Sequence, residues 1–154
     1  MLYHYTDSVS VKEIVSDGFL FPFTMPLYHN ADSTSLIRHI SPVVWLTRSV
    51  APDGLVLRRM LACKFPTPLH HVFRVGVPDE YPCMTLVEYT AQHNYTMGDW
   101  KWLQLAGLVS DSFFTDWRLA SQVIPQSEWS VFECMTQVDD NGNTTWQPVP
   151  VGGA

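Results

Sequence analysis

Leu2-Tyr3-His4-Tyr5-Thr6-Asp7-Ser8-Val9-Ser10-Val11-Lys12-Glu13-Ile14-Val15-Ser16-Asp17-Gly18-Phe19-Leu20 opens the chain and holds its clearest local signals. Leu2 to Tyr5 is short and aromatic, the composition of a strand. Asp7 or Ser8 then offers an N-cap, and Val11, Ile14 and Val15 recur at helical spacing with Glu13 in the first turn, where a carboxylate suits the helix dipole. Gly18 supplies the left-handed residue that ends such a helix, and Phe19-Leu20-Phe21 follows as an extended piece stopped by Pro22.

Working outward, Pro22, Pro26, Asn30-Ala31-Asp32-Ser33 and Pro42 break any period, so residues 22–42 read as a surface loop with one helical turn between Ser33 and His39. Val43-Val44-Trp45-Leu46-Thr47 is a near-continuous apolar run and reads as a buried strand, with a turn from Arg48 to Gly54. Leu55 to Lys64 is ambiguous between strand and helix. His71 to Val77 alternates and reads as a strand stopped by Pro78, and Met84 to Tyr89 reads as a strand or a helix start. Asp99 to Leu108 places Trp100 and Leu103 near helical spacing. Trp117 to Ile124 reads as a strand, as does Ser130 to Met135. Asp139-Asp140-Asn141-Gly142-Asn143 carries the Asn-Gly pair that tight hairpins favour, and Thr144 to Val149 is its return strand. The sum is an α+β fold, a single compact domain over residues 1–150 with a mainly antiparallel sheet and a few short helices, and a frayed tail at 151–154.

Composition narrows the function. The 154 residues are 46% hydrophobic and 16% charged, which fits one packed core and excludes disorder over most of the chain. With 9 basic and 15 acidic residues the net charge is −6, so non-specific coating of DNA or RNA gains little from counterion release. No apolar run approaches the roughly 20 residues of a membrane span, and no basic-then-apolar leader opens the chain, so the expected location is cytoplasmic. Cys63, Cys83 and Cys134 are odd in number and widely spaced, which reads as reduced thiols, and no pair is spaced for zinc, so no metal is expected.

Two residues stand out chemically. His4 lies on a strand between two aromatics, either as a satisfied core residue or as a placed hydrogen-bond donor. Glu133 interrupts an apolar strand; it is either paired or functional there, or alternation puts it on a wet face. The aromatic density of 13% reads first as core and rim packing, with base stacking the lesser alternative. A cysteine nucleophile has no local signature around Cys134.

Taken together, Leu2-Tyr3-His4-Tyr5-Thr6, the helix ending in Gly18-Phe19-Leu20, Pro42-Val43-Val44-Trp45-Leu46-Thr47, Phe73-Arg74-Val75 and Trp129 to Glu133 resemble, in order and spacing, the ADP-ribosyltransferase superfamily. The likeness is to its small prokaryotic and phage members that open with a YHYT strand, and it covers most of the chain with short motifs. The resemblance implies a split antiparallel sheet, NAD as substrate, and a mono-ADP-ribosyltransferase that modifies a protein or nucleic acid acceptor. It implies His4 on the ribose and adenosine side of NAD, with Tyr5 and Thr6 beside it; Trp45 and Thr47 as walls of the nicotinamide pocket; and Tyr5 or Tyr28 as the ring that stacks on nicotinamide. Glu133, ahead of Glu128, takes the place of the strand-borne carboxylate that bonds the nicotinamide ribose, so Glu133 and His4 are the expected catalytic pair. Arg48 and Arg74 are the expected pyrophosphate contacts, ahead of Arg38, Arg58 and Arg118, with surface salt bridges as the alternative for each.

The chemistry is consistent with that division of labour. Breaking the nicotinamide–ribose bond builds positive charge on the sugar, and a fixed carboxylate lowers that barrier electrostatically. Aromatic walls exclude water. The chain departs from the pattern in having no Ser-Thr-Ser triplet and no Glu-x-Glu pair, so it is unlike the arginine-modifying members. Two alternatives stand beside the enzyme: a catalytically silent module that binds NAD-derived or nucleotide ligands, and a phage-type inhibitor acting by protein–protein contact. A 2'-phosphotransferase-like activity on RNA is disfavoured by the nine basic residues.

Overall fold

The computed structural model describes residues 1–8, 10–24, 26–28, 36–39, 41–52, 72–96, 98–101, 112–141 and 143–150, and of 26–28, 36–39 and 138 the backbone alone. The opening folds as its local chemistry dictates. Strand β1 (Leu2–Thr6) leads into helix α1 (Ser10–Asp17), where the Asp7 carboxylate accepts the Ser10 N–H at 2.7 Å. Gly18 ends the helix at φ +73°, a conformation that costs glycine little. Strand β2 (Phe19–Leu20) follows.

Residues 26–28 and 36–39 depart from the expected loop and helical turn. Strands β3 (Pro26–Tyr28) and β4 (Leu36–His39) pair there antiparallel. Pro26 sits at the first position of its strand, where the missing N–H costs nothing in the ladder. Strand β5 (Val44–Thr47) is buried throughout. After β6 (Phe73–Val77) comes β7 (Met84–Thr85), which runs into α2 (Leu86–Gln92) through a capping box of Thr85 and Glu88. The short helix α3 (Phe113–Asp116) precedes β8 (Trp117–Ala120). The single strand expected from Trp117 to Ile124 is therefore two, since β9 (Ile124–Pro125) pairs instead with β2. A 3-10 turn over Gln126–Glu128 leads to β10 (Val131–Val138), and β11 (Thr144–Pro148) returns. The turn between them is organised by Asp139, whose carboxylate accepts the N–H groups of Asn141 and Asn143. The expectations at Leu55 to Lys64, His71, Leu103 to Leu108 and the tail lie outside the described residues.

The main sheet has seven strands in the order β11-β10-β6-β1-β5-β8-β7, and its pairings are antiparallel. The result is one small α+β domain. Both faces are covered. On the front, α2, Trp100 and α3 bury Trp45, Trp117 and Leu119. On the back, α1 and the β2–β9 ribbon bury Leu2, Val44, Leu46, Val75, Val77, Ala120 and Phe132. Burial on both faces explains why β5 reads as an apolar run with little polar alternation. Among the described residues, no helix is long and apolar enough to cross a membrane.

Candidate functional site

Registration of the strands fixes which side chains share a face. Directly opposed residues in an antiparallel sheet point the same way, and successive residues alternate. Tyr5 opposes Arg74, and Arg74 opposes Glu133; one step along, His4 opposes Val75, and Val75 opposes Phe132. Tyr3 opposes both Gly76 and Thr47. The front face therefore holds Tyr3, Tyr5, Trp45, Thr47, Arg74 and Glu133. The back face holds His4 and Thr6 with the apolar cluster of Leu2, Leu46 and Val75. The expected catalytic pair, His4 and Glu133, is not brought together, because an odd-numbered offset in register separates them by the thickness of the sheet.

On the front face the charged groups meet each other. Arg74 Nε donates to Glu133 Oε2 at 2.7 Å, and Arg74 Nη1 donates to the Val50 carbonyl at 2.8 Å. The guanidinium is sandwiched between the rings of Tyr3 and Trp146, 4.4 and 4.1 Å from their centroids. The two side chains are only 10% and 17% exposed, so this is a largely desolvated ion pair rather than a surface one. Cross-strand placement on adjacent β6 and β10 makes it a direct consequence of register.

The other expected residues have structural partners as well. The His4 Nδ1 lies 3.0 Å from the Trp45 carbonyl; a carbonyl only accepts, so Nδ1 carries the hydrogen. This bond falls where β1 and β5 are joined by one bridge, Tyr3 to Thr47, so His4 serves a carbonyl at a sparsely laddered seam. Tyr5 Oη donates to the Ser49 carbonyl at 2.7 Å, and Thr47 Oγ1 accepts the Ser49 N–H at 3.1 Å. Trp45 packs edge-on against Trp100 and Trp117, with centroids 6.0 and 5.5 Å away. Its indole Nε1 is buried without a hydrogen-bond partner. Arg48 is exposed, with Nε 3.7 Å from Asp79 Oδ1. Thr6 is buried on the back face. The side chain of Tyr28 lies outside the described residues. Glu128, the second-choice carboxylate, sits in the 3-10 turn before β10 rather than on the strand.

Two further features bear on chemistry. Burial raises the Cys134 thiol, and burial outweighs the pull of Arg118 and Arg48 to raise Cys83, so neither is primed as a thiolate nucleophile. No group of three or more His, Cys, Asp or Glu able to hold a metal occurs among the described residues. An open depression of about 200 Å³ at the start of β10, lined by Gln126, Trp129, Ser130, Val131 and Phe132, is below the usual range for ligand pockets.

Comparison of the chain with protein-family models, with curated proteins and with solved structures finds no match.

The reading of the residues missed Tyr3, Trp146 and the Val50 carbonyl as partners of Arg74. The aromatic neighbours lie far away in the chain, on β1 and β11, so only the pairing of strands brings them together.

Proposed function

We propose that this chain is a catalytically silent binding module on an ADP-ribosyltransferase-like framework, taking an NAD-derived or nucleotide ligand at the seam between β1 and β5. The observation that carries the silence is the Arg74–Glu133 pair, closed at 2.7 Å on the face opposite His4. A carboxylate already neutralised by a stacked guanidinium has little left to offer a developing positive charge on ribose, which needs a preorganised and unspent negative group. The front of the seam is favoured as the binding place because the ladder is thinnest there and because Tyr5 and Thr47 bring polar atoms to it.

The test is incubation with NAD and with ADP-ribose, reading thermal shift and nicotinamide release together. A shift with the ligand recovered unchanged is expected. Nicotinamide release that disappears in Glu133→Ala would restore the transferase, which remains the alternative that the order of motifs supports. No shift with either ligand removes the module.

A second reading, a protein that acts by contact with a macromolecular partner, has one specific observation behind it. Phe19 and Phe21 are exposed, their rings 5.8 Å apart, on the ribbon whose other strand follows exposed Val123. A complex that survives changes at His4 and Glu133 but is lost in Phe21→Ser would favour this reading over the nucleotide module.

A further inference from the structure

The two halves of the main sheet, β11-β10-β6-β1 and β5-β8-β7, share a single backbone bridge, yet side chains cross the seam repeatedly. Two of these crossings end on the same short segment. Tyr5 of β1 donates to the Ser49 carbonyl, and Arg74 of β6 donates to the Val50 carbonyl. Residues 48–51 leave β5 and thus belong to the other half. Within the segment, Ser49 N–H is held by Thr47 Oγ1 and Ser49 Oγ donates to the Ala51 carbonyl.

What holds this segment is polar. Val50, its largest apolar side chain, is 64% exposed and contributes no buried anchor. Arg48 is exposed at the near end. Strand β5, which leads into the segment, is buried, so among the described residues a rigid frame adjoins a segment held by hydrogen bonds. Each such bond is worth little net, because water replaces it on opening. Segments of this kind open locally at a free energy well below that of global unfolding.

We infer that residues 48–51 form a latch across the front of the β1–β5 seam, closed by Tyr5 and Arg74 and able to open while the sheet stays folded. Opening withdraws two carbonyls from the front face and releases the Tyr5 hydroxyl and Arg74 Nη1 as donors there. The latch does not depend on any ligand, so it stands or falls separately from the proposed binding function.

Limited trypsin digestion of the whole protein tests it, with the Arg48–Ser49 cleavage followed by mass spectrometry and cleavage after Lys12, on α1, as the internal control. A protease needs the segment lifted, and the rate follows the open population while closing outruns cleavage. Tyr5→Phe keeps the ring and removes one tie, so cleavage after Arg48 should rise about five-fold while Lys12 cleavage is unchanged. Thr47→Val, close in shape, removes the Ser49 N–H acceptor and should act in the same direction. Unchanged Arg48 cleavage in both variants overturns the inference. So does Arg48 cleavage that always rises in proportion to Lys12 cleavage, since that marks global unfolding.

Discussion

Truncating Glu133 should expose what the front-face ion pair is for. Glu133→Ala leaves the Arg74 guanidinium, 10% exposed, without its counter-charge. Stranding a buried charge costs about 3–5 kcal/mol. Two features moderate this here. The Tyr3 and Trp146 rings stay at 4.4 and 4.1 Å and keep a cation–π attraction of about 1–2 kcal/mol. The Val50 carbonyl stays on Nη1. The expected loss is therefore near the low end, about 3 kcal/mol, which for a domain of this size lowers Tm by about 6–12 °C.

Glu133→Gln keeps an acceptor for Nε and should lose about half as much. Replacing both partners, as Arg74→Met with Glu133→Leu, removes two desolvation costs together and should fall within about 1 kcal/mol of the natural protein. Urea unfolding at neutral pH, followed by tryptophan fluorescence with the m-value checked for constancy, measures the three variants against the natural protein. A carboxylate held for chemistry behaves in the opposite way, since active-site charges are commonly kept at the expense of stability. Glu133→Ala that is as stable as the natural protein, or more so, would refute the structural assignment and return Glu133 to the catalytic role.

Trp45→Phe and Trp100→Phe remove the same ring volume from one cluster, but only Trp100 Nε1 has a partner, Thr90 Oγ1 at 2.8 Å; Trp100→Phe should be the costlier by about 1 kcal/mol in urea unfolding. Gly76→Ala would place a Cβ 2.5 Å from Val131 Cγ2 and 2.7 Å from Met1 Sδ, so a loss of about 1–3 kcal/mol is expected, read from the urea midpoint. Burial, aided by Tyr95, pushes the Tyr89 hydroxyl up to about 12 from its ordinary 10. The folded state thus holds this proton more tightly than the unfolded one; the contribution is full below pH 10 and is lost as pH rises toward 12. Unfolding at pH 8 and pH 11 should show that decline, and Tyr89→Phe should flatten it.

Local chemistry was legible and long-range registration was not. The Asp7 cap and the Gly18 stop each depend on residues within a few positions and fold as read, while the turn expected from Asn141-Gly142 joins β10 to β11 where expected but is organised by the Asp139 carboxylate, with Asn141 not at positive φ. Thr85-Leu86-Val87-Glu88 carries a capping-box pattern that settles the ambiguity at residues 84–89 as a strand end followed by a helix start. The β3–β4 pairing was hidden because Pro26 and the polar run after Tyr28 look like loop chemistry. For the site, the obstacle was the doubly covered sheet. With apolar clusters on both faces, alternation along β1 or β10 does not say which face is which. The partner of Glu133 lies 59 positions away on β6, and nothing local marks it.

The separation of His4 from Glu133 is also over-determined. Bringing both to one face requires β1 to slip by one residue against β6, and such a slip turns every β1 side chain over. Leu2, 1% exposed in the back cluster with Val75 and Phe132, would move to the front. Tyr5, packed with Met135 and Val72, would leave the front cluster and lose the Ser49 carbonyl. Burying a leucine is worth about 1.5–3 kcal/mol, and the aromatic and polar contacts add to it, so the slipped register costs several bonds and two core positions at once. Each strand next to β1 imposes the same registration independently: β6 through five consecutive pairs and β5 through Tyr3 and Thr47. Any chemistry at this sheet therefore has to be built from one face at a time. On the front, that leaves Tyr5, Thr47 and the Arg74–Glu133 pair, with the imidazole confined to the back.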